Sequence, residues 1–226
     1  MTVFQTWDMD FALEHLPELL DAFVQFTLVA TVLGSILAAV LGLLFAIIRR
    51  VRVPVLAPVV TVIVEFVRST PIPIQLFFVF YGFPTIPGIG FNISAMTAGV
   101  LVLGVHYACY YAEVYRAGIE SVPKGQWEAC TALSIAPRYQ WQRVVLPQAI
   151  RNVLPSLGNY VISMFKETPF LYVIGVTEMV TVAVTQIGGD AFRYTEVVTL
   201  AGLIFLAASY PAAVAMRKLE MRLGHA

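Results

Sequence analysis

The sequence predicts an all-α protein that crosses a membrane five times, and three observations support this prediction. Apolar residues make up 59% and charged residues 12% of the 226 residues, whereas soluble domains are about half apolar and a quarter charged. Apolar runs of the roughly 20 residues that a spanning helix needs recur along the chain. Basic residues gather between or after these runs. Helices are expected because lipid offers no hydrogen-bond partners to the backbone.

The first predicted span is uninterrupted, whereas the second is broken. Residues 22–48 contain no charge, and a cluster of arginines follows: Arg49, Arg50 and Arg52. The run 55–83 is interrupted by charges and prolines: Glu65, Arg68, Pro71 and Pro73. Proline disrupts a helix interior, so we expect a break there. Residues 1–21 carry acidic residues and no Lys or Arg. A signal peptide begins with positive charge, so we expect an external N-terminal segment instead.

Three further spans follow, at residues 93–112, at 154–165 and at 197–216. The stretch 171–187 is apolar but short, with Gly175 and Glu178 inside it. We interpret it as a re-entrant or outward-facing surface helix, with a sixth span as the alternative.

The distribution of basic residues predicts the orientation, because Lys and Arg accumulate on the cytoplasmic side. With five spans, one side carries Arg193 alone among ordered loops. The other side carries Arg49, Arg50, Arg52, Lys124, Arg138, Arg143, Arg151, Arg217, Lys218 and Arg222. The N-terminus is therefore predicted outside and the C-terminus inside. A sixth span would move the C-terminal basic cluster outside, which counts against it.

The segment 120–151 is predicted to be a cytoplasmic hairpin between spans three and four, since burying its charges in lipid is costly. Pro123 suits a helix start. One small, apolar helix face is predicted to contain Trp127, Cys130, Leu133 and Ser134. Pro137 is predicted to end this helix, and a second helix from Arg138 is predicted to end before Pro147. A short helix with small residues on one face suits close docking, although a solvated connecting loop is the alternative.

Patterns for catalysis or metal binding are not found in the sequence. Cys109 and Cys130 are far apart and predicted to be free thiols. The three histidines lack metal-ligand spacing. There is no G-x-x-x-x-G-K-[ST] phosphate loop and no nucleophile placed beside a base. The chain is therefore predicted not to be an enzyme.

The hairpin resembles the signature cytoplasmic loop of ABC importer permeases. That signature is Glu-Ala-Ala, three residues, Gly, about nine residues and Ile-x-Leu-Pro. Here it reads Glu128-Ala129-Cys130, then Ser134, then Val144-Val145-Leu146-Pro147. The stretches 66–78, 110–129 and 154–169 resemble the polar amino acid uptake branch, and the likeness covers about residues 20–222. Cys130, Ser134 and Val144 depart from the pattern. If the family's Gly has φ > 0, Ser134 costs roughly 1–2 kcal/mol.

The resemblance implies a single transmembrane permease domain, 1–226, in a multi-pass protein of the bacterial inner membrane. It implies a second permease subunit, identical or different, two cytoplasmic ATPase subunits and an external solute-binding protein, and it implies no nucleic acid. ATP–Mg would bind the partner ATPases, with no cofactor on this chain. The first loop helix would sit in a cleft of the ATPase and couple the two proteins. The contact residues implied are Trp127, Glu128, Ala129, Leu133 and Ser134.

The candidate solute path combines polar residues within spans, which usually face a cavity or each other. Near the proline break, the candidates are Arg68, Thr70 and Gln75, and broken helices often form solute sites. The alternative for Arg68 is an ion pair with Glu65 that locks the bundle. On span four, a polar stripe comprises Asn159, Ser163, Lys166 and Glu167. The alternative is that this stripe faces the partner permease. Weaker candidates for cation–π contacts are Tyr107, Tyr110 and Tyr111, although tyrosines near a span end more often occupy the interface belt.

The solute itself is predicted only by resemblance. Residues 106–133 and the stretch "RSTPIPIQLFFVFYG" look similar to ectoine/hydroxyectoine-type permeases, which carry zwitterionic compatible solutes. A generic polar amino acid is the alternative. An ATP-independent secondary transporter or channel would need repeats or an ion relay, and none is visible. A membrane-embedded enzyme would need a Ser–His or His–Asp pair at membrane depth, and no serine in the sequence is visibly placed for His106.

Overall fold

The computed structural model describes residues 7–191 and 193–223, which are helical and contain no strand. This confirms the all-α prediction. The helical segments are α1 (Met9–Val51), α2 (Leu56–Arg68), α3 (Ile72–Thr85), α4 (Ala95–Glu120), α5 (Lys124–Ala132), α6 (Pro137–Ile174), α7 (Met179–Ile187) and α8 (Tyr194–Arg222).

Among the described residues, three helices are long and apolar enough to cross a membrane: α1, α4 and α8. The pair α2 and α3 is bent by 112°, and the pair α6 and α7 by 53°. The count rises to five if each bent pair is one span. The break after α2 lies at the predicted prolines, since Pro71 caps the start of α3 with extended backbone. The five-span arrangement and its orientation stay predictions.

Helix α1 begins earlier than predicted. It has 43 residues, about 65 Å at 1.5 Å per residue, twice the roughly 30 Å of a hydrocarbon core. The Asp8 carboxylate caps it by accepting the Phe11 N–H at 3.0 Å. From residue 9 onward, the predicted external segment 1–21 is therefore the first part of this helix, and residues 1–6 lie outside the described residues. A search for uncharged runs misses this part because it is amphipathic, with Ala12 and Leu19 buried.

The hairpin prolines act differently from the prediction. Helix α5 ends at Ala132, before Pro137, and Pro137 begins α6 instead. Helix α6 then continues through Pro147 rather than ending before it. The reason is a π-helical stretch, Gln140–Val145, whose wide turn ends where the Leu146 N–H bonds the Trp141 carbonyl. Such bulges accommodate a residue that cannot donate its own backbone bond.

The described residues divide into two compact units. Unit 1 contains residues 7–34, 71–103, 163–191 and 193–212. Its core joins the first part of α1, α7 and the start of α8 through Leu19, Ala22, Met179, Val182, Ala183, Ile187, Val197 and Ala201. The side chain of Arg193 contacts Asp8 at 2.7 Å and Glu196 at 3.8 Å, which ties the beginnings of α1 and α8 together.

The stretch 171–187 belongs to the core of unit 1. The Glu178 carboxylate caps α7 by accepting the N–H groups of Val180 and Thr181 at 3.0 and 2.7 Å. The buried residues of the stretch 171–187 include Leu171, Ile174, Val176, Met179, Val182, Ala183 and Ile187. The prediction of an outward-facing surface helix is therefore wrong, because most of this stretch is packed inside the unit, whereas the re-entrant segment stays a prediction. The helix α7 is also shorter than the roughly 20 residues that a span needs.

Unit 2 contains residues 35–70, 104–162 and 213–223 among those described. One of its hydrophobic clusters joins Val60, Val64 and Cys109, and another joins Val122, Val145 and Ala149. Its helices approach closely at glycines: a Cβ at Gly42 would lie 2.6 Å from the Tyr111 Cβ, and one at Gly118 would lie 2.1 Å from Val153. Small residues allow such close packing in membranes. Cys109 and Cys130 are free, as predicted, and both are buried.

Candidate functional site

Helix α5 presents most of the predicted coupling residues to solvent. Pro123 precedes its first residue with extended backbone, as the sequence predicts. Glu128 and Ala129 are exposed, and Leu133 is 73% exposed. An apolar residue this exposed at the end of a short helix is available to a partner surface.

The opposite face of α5 is anchored to the rest of unit 2. The rings of Trp127 and Trp141 meet edge to face with centroids 5.4 Å apart. Both rings pack against the cluster of Val122, Val145 and Ala149. The single predicted face of Trp127, Cys130, Leu133 and Ser134 is therefore split. Its first two members point inward, and its last two are exposed because they follow the end of the helix.

The end of α5 is a Schellman motif built on a serine. The Ser134 N–H donates to the Thr131 carbonyl and the Ile135 N–H to the Cys130 carbonyl, each at 3.0 Å. Ser134 has φ +53°, in the left-handed region where glycine is normally found. The positive φ, on which the cost of a serine at this position depends, is therefore present in this chain. The turn therefore carries a conformational cost of roughly 1–2 kcal/mol.

Arg68 ends α2 with a loosely held guanidinium. Its Nη1 lies 3.7 Å from the Glu65 carboxylate, which is 62% exposed. An exposed pair at this distance contributes at most about 1 kcal/mol, so the ion pair does not lock the bundle. The guanidinium also lies over the Tyr110 ring at 5.2 Å. Its Nε is buried without a hydrogen-bond partner among the described residues, which leaves one strong donor available.

An aromatic cluster surrounds Tyr110, the ring beneath the Arg68 guanidinium. Tyr107 and Tyr111 are 3% and 2% exposed, so these two do not occupy an interface belt. The Tyr160 ring lies 5.4 Å from Tyr110 and 6.1 Å from both other tyrosines. Sequence reasoning missed Tyr160, although it directly follows Asn159 of the polar stripe. The adjacent ring of His106 lies 5.3 Å from that of Tyr110.

The remaining path candidates are distributed over both units. In unit 2, the Asn159 amide donates to Glu220 at 2.9 Å, which links α6 to α8, while Thr70 bonds the Phe66 and Val67 carbonyls. In unit 1, Lys166 is exposed. The other candidates of unit 1 are partly buried: Gln75, Ser163 and Glu167.

A charged network at the end of α4 was also missed from the sequence. Glu113 binds Arg49 of α1 and Arg116 of its own helix. Arg116 reaches Glu120 as well, at 2.7 Å. The i, i+3 and i, i+4 spacings within α4 are readable in the sequence. The contact with Arg49 is not, because the two residues are 64 positions apart.

Comparisons with known proteins identify the family of this all-helical chain. The family described as "Binding-protein-dependent transport system inner membrane component" matches residues 22–225. The chain belongs to this family. This transport component is 39% identical to the probable amino-acid ABC transporter permease protein y4tG of Sinorhizobium fredii, over 96% of this chain and 94% of that protein. It is 37% identical to the L-cystine transport system permease protein TcyL of Bacillus subtilis, over 77% and 74% of the two chains.

Solved structures agree with the family assignment. The crystal structure of an amino acid ABC transporter with histidines matches with a TM-score of 0.87 at 30% identity, over 96% of this chain and all of that one. The inward-facing MetNI methionine ABC transporter matches with a TM-score of 0.71 at 22% identity, which shows the fold alone. The chain is thus a permease subunit of an ABC-type amino-acid importer. It is not an enzyme, because ATP hydrolysis in this family belongs to a separate subunit.

Proposed function

We propose that this permease forms the translocation path for a polar amino acid and that ATPase subunits drive it by docking on helix α5. The observation that supports this most strongly is the two-sided character of α5. Glu128, Ala129 and Leu133 face solvent, while Trp127 fixes the back of the helix against Trp141. A helix fixed on one face and free on the other can pass a displacement of its partner to the spans.

The assembly proposed for this subunit follows the resemblance of its hairpin. Two ATPases hydrolyse ATP–Mg on the cytoplasmic side, and this chain carries no cofactor. A second permease, identical or different, completes the path, and an external protein delivers the solute. The chain lies in a bacterial inner membrane with five spans, its N-terminus outside and its C-terminus inside, as one permease domain.

Arg68 is the proposed contact for the carboxylate of the solute. Guanidinium groups form strong, charge-assisted bonds with carboxylates. The support is its buried, unpartnered Nε and its weak, exposed ion pair. Further residues proposed along the path are Thr70, Gln75, Asn159, Ser163, Lys166 and Glu167.

The chemistry of the solute is proposed from the names of relatives. Bacillus subtilis relatives are named for L-cystine, glutamine and arginine, at 37%, 30% and 30% identity. These solutes share a zwitterionic α-amino acid group, so a polar amino acid is the proposed cargo. A zwitterionic compatible solute such as ectoine or hydroxyectoine is a narrower hypothesis. It is supported by the resemblance of residues 106–133.

ATP hydrolysis by the reconstituted complex tests this proposal. The permease is purified with its candidate ATPase and receptor, and hydrolysis is measured with and without liganded receptor. We expect stimulation by the receptor that Glu128→Arg abolishes and Glu14→Arg, the same change at an exposed position of α1, preserves. Solute flux through this chain alone in liposomes, without ATP, would instead establish the alternative of a secondary transporter or channel.

A further inference from the structure

A basic cavity lies in unit 2 where α1 ends and α2 begins. Its volume is about 260 Å³, close to the lower end of the range for small-ligand pockets, about 300 Å³. The lining brings together four guanidinium groups from two helices and the loop between α1 and α2. The charged and hydroxyl-bearing lining residues are Arg49, Arg50, Arg52, Arg116, Thr61 and Glu120.

The charges around this cavity do not balance. Glu113 and Glu120 pair with Arg49 and Arg116. Arg50 and Arg52 have no carboxylate within ion-pair distance among the described residues. Arg50 instead lies over the Trp141 ring at 5.9 Å. Two positive charges therefore remain for an anion, and the paired arginines are already held in place by their carboxylates.

The rim of the cavity indicates where such an anion would come from. The residues that flank Arg52 along the chain are apolar and strongly exposed: Val51 at 67%, Val55 at 74%, Leu56 at 51% and Val59 at 48%. An exposed apolar collar beside a cluster of arginines suits a ligand with an anionic head and hydrocarbon chains. Basic pockets between spanning helices bind phospholipid headgroups in this way.

We propose that this cavity binds the phosphate of an anionic ester, with Arg50 and Arg52 as the ligands that supply the net charge. The apolar rim favours an anionic phospholipid as the source over soluble phosphate. This site is separate from the proposed solute path and from the exposed face of α5. Its occupation would fix the loop between α1 and α2 against α4.

Native mass spectrometry of the full chain tests the site. The detergent-solubilised protein is incubated with phosphatidylglycerol or with phosphatidylcholine, and retained lipid is counted. We expect one retained phosphatidylglycerol per chain and little phosphatidylcholine. The double variant Arg50→Gln/Arg52→Gln should retain it roughly 25-fold more weakly, as expected when two basic groups near an anionic headgroup are neutralised. Arg217→Gln/Arg222→Gln, which removes the same charge from exposed positions of α8, should retain it fully.

Two further arms decide the outcome. Thr61→Phe fills the cavity without changing charge and should also lose the lipid. This second variant provides a test of the site that does not depend on the folding of the double variant. Inorganic phosphate is tested by thermal unfolding. A rise in Tm that both cavity variants abolish, without lipid retention, would support the same site with a soluble source. The proposal is overturned if the cavity variants retain phosphatidylglycerol fully, or if the α8 variant loses it equally.

Discussion

The indole rings of Trp127 and Trp141 meet edge to face at 5.4 Å, and this contact fixes α5 to the start of α6. The two residues lie on separate helices of the hairpin. Their contact gives the exposed face of α5 a rigid support, and it explains why Trp127 is only partly accessible.

Removing this support should uncouple the permease. Trp127→Ala is expected to lower the free energy of unfolding by about 1–2 kcal/mol, through the lost aromatic contact and part of the buried area. Receptor-stimulated ATP hydrolysis should fall more than binding of the ATPase does. Trp127→Phe, which keeps an aromatic ring, should recover most of both quantities. Equal coupling by the Ala and Phe variants would show that the ring contact is irrelevant.

Replacing Ser134 by glycine should stabilise the hairpin. The residue has φ +53°, and glycine adopts this conformation without the steric cost that a Cβ imposes. Chemical denaturation of Ser134→Gly should therefore show a gain of about 1 kcal/mol. Ser134→Ala is the matched control, because it removes the hydroxyl but keeps the Cβ, and it should show no gain. A gain of the same size in both variants would assign the effect to the hydroxyl.

Substitutions of Arg68 and of Glu65 should have different effects on solute uptake. Arg68→Ala is expected to reduce solute uptake by about 10–100-fold, the loss of one charge-assisted contact of about 1.5–3 kcal/mol. Binding of the ATPase should be unchanged. Glu65→Ala should alter uptake less than twofold, because its ion pair is long and exposed. If instead both variants prevent assembly of the complex, the pair has a structural role.

Glu178 should be essential for the stability of α7. Its carboxylate accepts two N–H groups and the Thr181 hydroxyl. Glu178→Ala is expected to cost about 2–3 kcal/mol in thermal unfolding, because buried donors would be left unsatisfied. Glu178→Gln retains one acceptor oxygen and should cost less. Similar losses in both variants would mean that the charge, rather than the cap, is required.

The contact at Asp8 should make the stability of unit 1 depend on pH. The Phe11 N–H and the Arg193 guanidinium lower the pKa of the Asp8 carboxyl below its usual 3.8. A lowered pKa stabilises the folded state above pH 3.8, and this contribution disappears as pH falls through the lower folded value. The Tm advantage over Asp8→Asn should therefore be present at pH 7 and shrink below pH 3.8. An advantage that stays the same from pH 7 to pH 2 would exclude this ionisation as its source.

Local chemistry made part of this structure predictable. Pro71 and Pro73 marked the break between α2 and α3, and Pro123 marked the start of α5. Proline disrupts a helix interior but is tolerated at a helix start. The same reasoning failed at Pro147, where the preceding π-helical stretch absorbs the missing donor. The search for uncharged runs failed before residue 22, since the start of α1 is amphipathic and carries charged residues.

The sites depended on contacts that sequence spacing does not give. The position of Ser134 was readable from the hairpin signature, whereas its positive φ was only a condition attached to the glycine it replaces. The approach of Tyr160 to Tyr110 and that of Arg49 to Glu113 join residues 50 and 64 positions apart. Such pairs arise from the packing of helices, which periodicity within one helix cannot reveal.

Site-specific photo-crosslinking at the exposed face of α5 tests whether an ATPase subunit docks on this helix. A benzophenone side chain is placed at Ala129 in the permease within native membranes, with Glu14 as the control position. We expect an adduct between position 129 and the ATPase subunit, and none from position 14. An adduct with the external solute-binding protein, or no ATPase adduct in an assembled and active complex, would contradict it.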